Sequence, residues 1–411
     1  MIAASSKFTG SFHMPGPLAG FKVIDLTTMI AGPFAAMLLA DQGADVIKVE
    51  GPDRADHVRR AGFGRKQLTA SFLNNNRNKR SLALDLKQPR GKALLFALAR
   101  QSDVLIQNFR PGVMQRLGIG YAALQAVNPR LVYVSMSGFG EQGPYAHKPV
   151  YDPLIQALSG LTTVQAGADD ERPRLVRTIV PDKVTGLTAA QAVTAALLAR
   201  ARTGDGQHVQ LSMLDAVISF MWSSDMGGQT FVGHEVSVQH AATFIDLIYA
   251  TQDGYISVSV MTDEQWRALC GALGHEDWLA DPRFTTPALR DANANARLEL
   301  TQEALLARPA AEWLALLEQA DVPCAPVLTR AQMVHHPQVV ANQTLLEMDH
   351  PVAGRLRQAA PAARFAGTPN AVRMGAPLLG EHTREILEEI GVSAADLEEL
   401  LAARVVAVPA A

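Results

Sequence analysis

The sequence predicts an α/β protein, with a doubly wound large domain followed by a smaller α+β domain. Three observations carry that expectation. Between residues 20 and 140, short β-branched runs alternate with helical stretches, the pattern of a parallel sheet covered by helices. Beyond residue 245 the pattern changes to an alternating strand opened by Asp-Gly, with a helical stretch behind it. At 411 residues the chain is long enough for two cores, since a single core stops growing at roughly 250–300 residues.

Taken in order, strands are expected at KVIDL (22–26), ADVIKV (44–49), SLALDL (81–86), DVLIQNF (103–109) and LVYVSMS (131–137). Helices are expected over 33–43, where Pro33 suits a first helical turn, and over 89–101. Residues 184–202 are nearly all Ala, Leu and Val, which predicts a deeply packed helix. GDGQ at 204–207 then turns the chain into the strand HVQLSM. These elements divide the chain into a disordered extension over 1–16, with Met14 a candidate start, and a large domain over 17–215. A linker or active-site loop follows over 216–245, then a small α+β domain over 246–328 containing YISVSV and the helix 264–274. The remainder, 329–411, returns to the large domain through Pro/Gly-rich connections, a helix over 381–391 and a terminal helix.

Composition narrows the function. Lys and Arg total 37 against 40 Asp and Glu, a net charge of −3, so nothing in the totals suggests a nucleic-acid or anionic-membrane partner. The 48% hydrophobic and 19% charged content is that of a globular protein, which excludes disorder, collagen and coiled coil. Cys270 and Cys324 stand in no ligand spacing, and His147, His240, His335 and His336 are scattered, so neither a disulfide framework nor a metal site is expected. No apolar stretch reaches the roughly 20 residues of a membrane span, and the N-terminus lacks a signal-peptide core. A cytoplasmic enzyme is the expectation.

Local motifs leave alternatives open. GFGEQG at 138–143 has the spacing of a dinucleotide fingerprint, but Pro144 and Pro149 follow, so no helix opens to receive a pyrophosphate. Arg77, Lys79 and Arg80 in NNNRNKRS are either a phosphate-neutralising cluster or a solvated loop. Asn108, Phe109, Arg110 and Arg116 follow the fourth strand, where open α/β sheets bind ligands; Phe109 either stacks on a base or sits in the core. Asp182 precedes the long apolar helix. It is either a first-turn acid or a carboxylate kept ionised by the helix dipole and aimed into a cleft, where it could act as a covalent nucleophile. Tyr151-Asp152 faces either solvent or a cleft. No GxSxG elbow is present, and triad chemistry is unsupported.

In this order the pieces resemble the family III, CaiB/BaiF-type CoA-transferases, over about residues 17–405. The resemblance is carried by PLAGFKVIDLTTMIAGPFAAMLLADQGADVIKVE, NRNKRSLALDLK, NFRPGVMQRLGIGY, NPRLVYVSMSGFGEQGPY, YDPLIQALSG, TGDGQHVQLSMLDA, VPCAPVLT and PLLGEHT. It implies a Rossmann-like large domain completed by the C-terminal segment, and two subunits interlocked as a homodimer. It further implies that Asp182, in VPDKVTG, is the nucleophile, with Tyr151 and Met29 beside it. Leu84, Asn108, Phe109, Arg116, Lys148 and Arg80 would then contact CoA. Gly51-Pro52 stands where some members carry a basic residue after the second strand. Coenzyme A is a substrate in this scheme, and no metal or redox cofactor is needed. The partners would be an acyl-CoA and a small carboxylic acid.

The same fold hosts α-methylacyl-CoA racemases, in which a His-Asp pair exchanges the α-proton. Where racemases resemble GHDxNY, this chain reads VYDPLI, with Tyr151 in place of the histidine. A phenol of pKa about 10 is a poor base near neutrality, so CoA transfer is preferred over racemisation.

Overall fold

The structure is a computed structural model that describes residues 16–65, 68–167, 170–236 and 247–409. The expected N-terminal extension therefore lies outside the described residues except for Gly16, which packs against the Gln42–Gly43 turn. His240 and most of the second half of the expected linker also lie outside them.

The chain forms two units. The larger gathers the residues up to Leu161, Leu175–Asp225 and Gln343–Ala411; the smaller is Thr162–Arg174 with Met226–Asn342. The large unit is built on a seven-stranded sheet. Its strands are β1 (Lys22–Asp25), β2 (Asp45–Glu50), β3 (Lys79–Leu84), β4 (Val104–Gln107), β5 (Val132–Ser137), β6 (His208–Ser212) and β7 (Val406–Ala407), in the spatial order β7-β3-β2-β1-β4-β5-β6. All neighbours are parallel except β7, which lies antiparallel on β3.

Residues on the strands alternate between two buried faces. Val23, Val46, Val104, Ile106, Val132 and Val134 point to one layer, formed with α1 (Ala31–Asp41) and the long helix described below. Ile24, Ile47, Leu82, Leu105 and Tyr133 point to the other, formed with Pro89–Arg100 and the C-terminal helices Thr383–Glu389 and Ala394–Ala402. Burial on both faces explains why these strands read as near-continuous apolar runs.

Three further helices matter for the site: α2 (Asp152–Leu158), α3 (Val180–Thr203) and α4 (Met213–Trp222). The expected boundary at residue 215 falls inside α4, because the first turn of that helix is capped by Ser212 and continues without a break. Deep packing of α3 is corrected as well. Only the face carrying Ala189, Val193 and Leu197 is buried, while Leu187 and Leu198 are exposed. Composition predicts how apolar a helix is, not how much of it the fold covers.

The small unit has its own core, in which Trp266, Trp278, Phe284, Leu298 and Trp313 pack beneath a three-stranded antiparallel sheet, Ile248–Ala250, Tyr255–Val258 and Cys324–Pro326. Its helix Asp263–Leu273 opens with a capping box in which Thr262 and Gln265 satisfy each other's backbone donors. Residues 329–342 cluster with this unit rather than with the large sheet.

Candidate active site

The sheet reverses its order between β1 and β4, since the chain leaves β1 for β2 on one side and later brings β4 to the other. Ligand crevices in open α/β sheets form outside the carboxyl ends of the strands at such a switch point. A cavity of about 270 Å³ opens there, lined by Thr28, Met29, Asn108, Phe109, Ser137, Lys148, Tyr151, Asp152 and Asp182 among others. The first turns of α1, α2 and α3 all line it.

Asp182 sits in the first turn of α3 behind Pro181, which fits that position because its missing N–H has no helical partner there. Its Oδ1 accepts a hydrogen bond from the Ala31 N–H, the first amide of α1, at 3.2 Å. The two helices meet this closely because Gly186 carries no side chain: a Cβ there would lie 2.8 Å from the Ala31 carbonyl oxygen. Gly32 serves α1 in the same way, since a Cβ would collide with the Thr27 side chain at 2.3 Å.

A second carboxylate stands beside the first. Asp152 begins α2, is only 5% exposed, accepts the Asp182 backbone N–H at 3.3 Å and is held by Gln156 Nε2 at 2.6 Å. Burial raises the carboxyl of Asp152 above its ordinary value. Burial, and then the charge of Asp152, push Asp182 up to about 6, against the opposing pull of the Ala31 N–H. Asp182 remains largely ionised at neutral pH, but it is more basic than a solvated carboxylate and so a better nucleophile.

Under the opposite wall the charges are paired. Asp25 holds Lys79 at 2.9 Å, Asp56 holds Lys48 at 3.3 Å, and Glu50 grips Arg59 with both oxygens. Burial pushes Lys79 down to about 8, while Asp25 and Glu50 stay below their usual range because cations outweigh burial there. Met29, at the rim, has a left-handed φ of 69°.

The structure brings most of the expected site residues together. Asp182, Tyr151, Met29, Asn108 and Lys148 line the first cavity, and Leu84 lines a second of about 420 Å³ with Leu26, Val113 and Leu117. Phe109 and Thr28 line both, so Phe109 stands between the two cavities rather than inside the core. Asn108 is less free than expected: its amide spans the backbone N–H and carbonyl of Thr28, at 3.0 and 2.8 Å. Tyr151 is 66% exposed, and Lys148 lies over the Tyr145 ring at 3.3 Å.

One expectation is corrected. Arg80 lines neither cavity; its guanidinium is consumed by Asp45, Glu385 and Glu389, the last two on a C-terminal helix. Its neighbours fare alike, with Arg77 paired to Asp41 and Lys79 to Asp25, so the basic cluster is scaffold and not a phosphate site. Arg116 is exposed on the short helix Val113–Arg116 and lines neither cavity. Sequence reasoning left Asp152 undecided and gave no role to Asp56. The signal available for Asp152 was its place at a helix start, immediately before a proline.

A profile of CoA-transferase family III matches residues 18–383. The chain is 37% identical over 340 residues to acetyl-CoA:oxalate CoA-transferase of Acetobacter aceti, covering 81% of this chain and 86% of that one. It is 32% identical over 380 residues to succinyl-CoA:glutarate CoA-transferase of Mus musculus, covering 91% and 86%. Among solved structures it resembles a CaiB/BaiF family protein from Brucella suis, with a TM-score of 0.79 and 31% identity over 92% of this chain and all of that one. The profile and these relatives define the class as a CoA-transferase. The chain belongs to CoA-transferase family III, the CaiB/BaiF family.

Proposed function

We propose that the enzyme moves CoA from an acyl-CoA donor, succinyl-CoA by preference, to a small dicarboxylic acid, through covalent intermediates on Asp182. The observation that carries this reading is the Asp182 carboxylate, of raised basicity, facing an open cavity with one oxygen on the Ala31 N–H. In the first step the free oxygen of Asp182 attacks the thioester carbonyl; the tetrahedral intermediate expels CoA thiolate and leaves a mixed anhydride. The thiolate then attacks the aspartyl carbonyl carbon, releasing the first acid as its carboxylate and leaving aspartyl-CoA. The acceptor carboxylate attacks this thioester, and the same steps in reverse deliver the new acyl-CoA and regenerate Asp182.

When thiolate or carboxylate adds to the aspartyl carbonyl, negative charge develops on the oxygen that Ala31 already bonds. A preorganised backbone donor at that place supports the transition state more than the ground state. The second cavity, apolar at Leu84, Leu117 and Phe109, suits the adenine end of CoA, so that binding far from the thioester fixes its geometry. The scheme uses no metal or redox cofactor. The names of the relatives, which act with oxalate and glutarate, support a dicarboxylate acceptor.

The reading includes a homodimer and a cytoplasmic enzyme. Leu154 and Leu158 of α2, Leu187 of α3, and Phe220 and Trp222 of α4 are exposed on helices that touch one another, an apolar surface of the kind subunits cover. Racemisation is the weaker reading, because the described residues that line the cavity include no histidine to pair with Asp182.

The test is to incubate the protein with succinyl-CoA and a panel of carboxylic acids, following new thioesters by mass spectrometry beside Asp182→Ala. New acyl-CoA species from the wild type alone support transfer through Asp182. Conversion of no acid, with solvent deuterium entering a 2-methylacyl-CoA, would favour the racemase.

A further inference from the structure

The backbone that joins β1 to α1 is held by four side chains from separate parts of the large unit. Asp25 accepts the Thr27 N–H at 2.9 Å, and the Lys48 ammonium donates to the Thr27 carbonyl at 2.9 Å. Asn108 takes both backbone groups of Thr28, and Asp56 accepts the Met29 N–H at 3.1 Å. Lys48 and Asp56 also pair with each other, and neither side chain has any exposed surface.

A buried ion pair is a poor way to stabilise a fold, because removing two charges from water costs about as much as their attraction returns. Conformational specificity is the better-supported role for such a pair, and here there is a conformation to specify. Met29 is a non-glycine residue in the left-handed region, two residues before the amide that meets Asp182. Rotation at Met29 would swing Ile30 and Ala31 and take the Ala31 N–H off the carboxylate.

We propose that Lys48 and Asp56 are positioning residues of the transfer reaction, clamping Thr27 and Met29 so that the Ala31 N–H stays aimed at Asp182. The proposal rests on Asp182 as the nucleophile. The Arg77–Asp41 pair supplies the contrast. It is buried to a similar degree in the same unit but bonds Asn78 and the carbonyl of Ala359, with no bond to the Thr27–Met29 backbone.

The experiment compares Lys48→Met/Asp56→Asn with Arg77→Met/Asp41→Asn, each removing both charges of one pair. In the first, kcat for transfer from succinyl-CoA should fall at least about tenfold with KM for the thioester nearly unchanged, as expected for a lost transition-state donor. In the second, kcat should change less than about threefold, the scale of a change remote from the chemistry. A second readout needs no turnover: carbodiimide labelling of Asp182, followed across pH by peptide mass spectrometry. Without the Ala31 N–H, the labelling midpoint should rise above the wild-type position near 6 in the first variant and stay in place in the second. An unmoved midpoint in Lys48→Met/Asp56→Asn, or an equal shift in both variants, overturns the proposal. If the wild type transfers CoA to no acid, the functional reading fails while the labelling still decides the clamp. Should the double variant not fold, Lys48→Gln/Asp56→Asn, which also removes both charges but keeps polar atoms for the buried partners, is read by the same two measurements.

Discussion

Two charged regions meet at the head of the large sheet, and they are built in opposite ways. Beneath β1 and β2 each carboxylate has its cation: Asp25 with Lys79, Asp56 with Lys48, Glu50 with Arg59. Across the cavity, Asp152 and Asp182 stand side by side, and among the described residues their hydrogen-bond donors are neutral, Gln156 and two backbone amides. Pairing makes charge inert and turns it into scaffold. Burial without a cation raises the basicity of both, with the charge of Asp152 adding to it at Asp182, and the proposed attack on an acyl carbon draws on that basicity.

The largest effect that would break this comparison is at the unpaired side. Asp182→Ala should lower transfer at least about a thousandfold, as expected for loss of a covalent nucleophile, measured by the rate of new thioester formation. Asp182→Asn should abolish transfer equally while making the protein more stable. The folded-state value of about 6 lies above the ordinary 3.8, so the contribution of Asp182 to stability is complete below pH 3.8 and is lost as pH rises through 6. At pH 7 the asparagine variant should therefore gain about 1–3 kcal/mol in urea unfolding, and the gain should vanish near pH 4.

On the paired side the sign reverses. Arg59→Met strands the Glu50 carboxylate in the interior and should cost about 3–5 kcal/mol of unfolding free energy. A smaller effect sharpens the contrast. Asp152→Asn keeps the shape but removes the like charge, so the acid limb of the pH profile of kcat/KM should move down by about half to one unit, with burial still holding it above an ordinary carboxylate. Smallest of all, Arg80→Met should leave KM for the acyl-CoA within about twofold of wild type, because its donors are spent on three carboxylates.

The contrast also explains what could be read in the sequence. Strands and helices of the large unit were legible because burial on both faces of a parallel sheet leaves apolar runs, and Asp182 was legible as a first-turn acid of α3, its role as nucleophile entering only through the family resemblance. Arg80 was misread because a basic cluster announces its charge but not its partners, and Glu385 lies 305 positions away. Asp152 was left undecided, and Asp56 given no role, for the same reason. Whether a carboxylate is paired or left bare depends on side chains that only the folded sheet brings together. The exposed stripe of α3 was hidden because composition does not distinguish a helix buried all round from one covered on a single face.

The outermost strand of the sheet has a consequence for how the protein is made. β7 lies on β3, and Thr383, in the first of the two helices that precede it, bonds the Ala83 amide from 300 residues away. During synthesis the ribosome must deliver the whole smaller unit before the large sheet acquires its edge. Until then β3 offers one bare side, a template for a strand of another nascent chain. A strand translated only after the smaller unit thus acts as the sheet's own guard against aggregation, and its arrival marks the moment when the large unit can close.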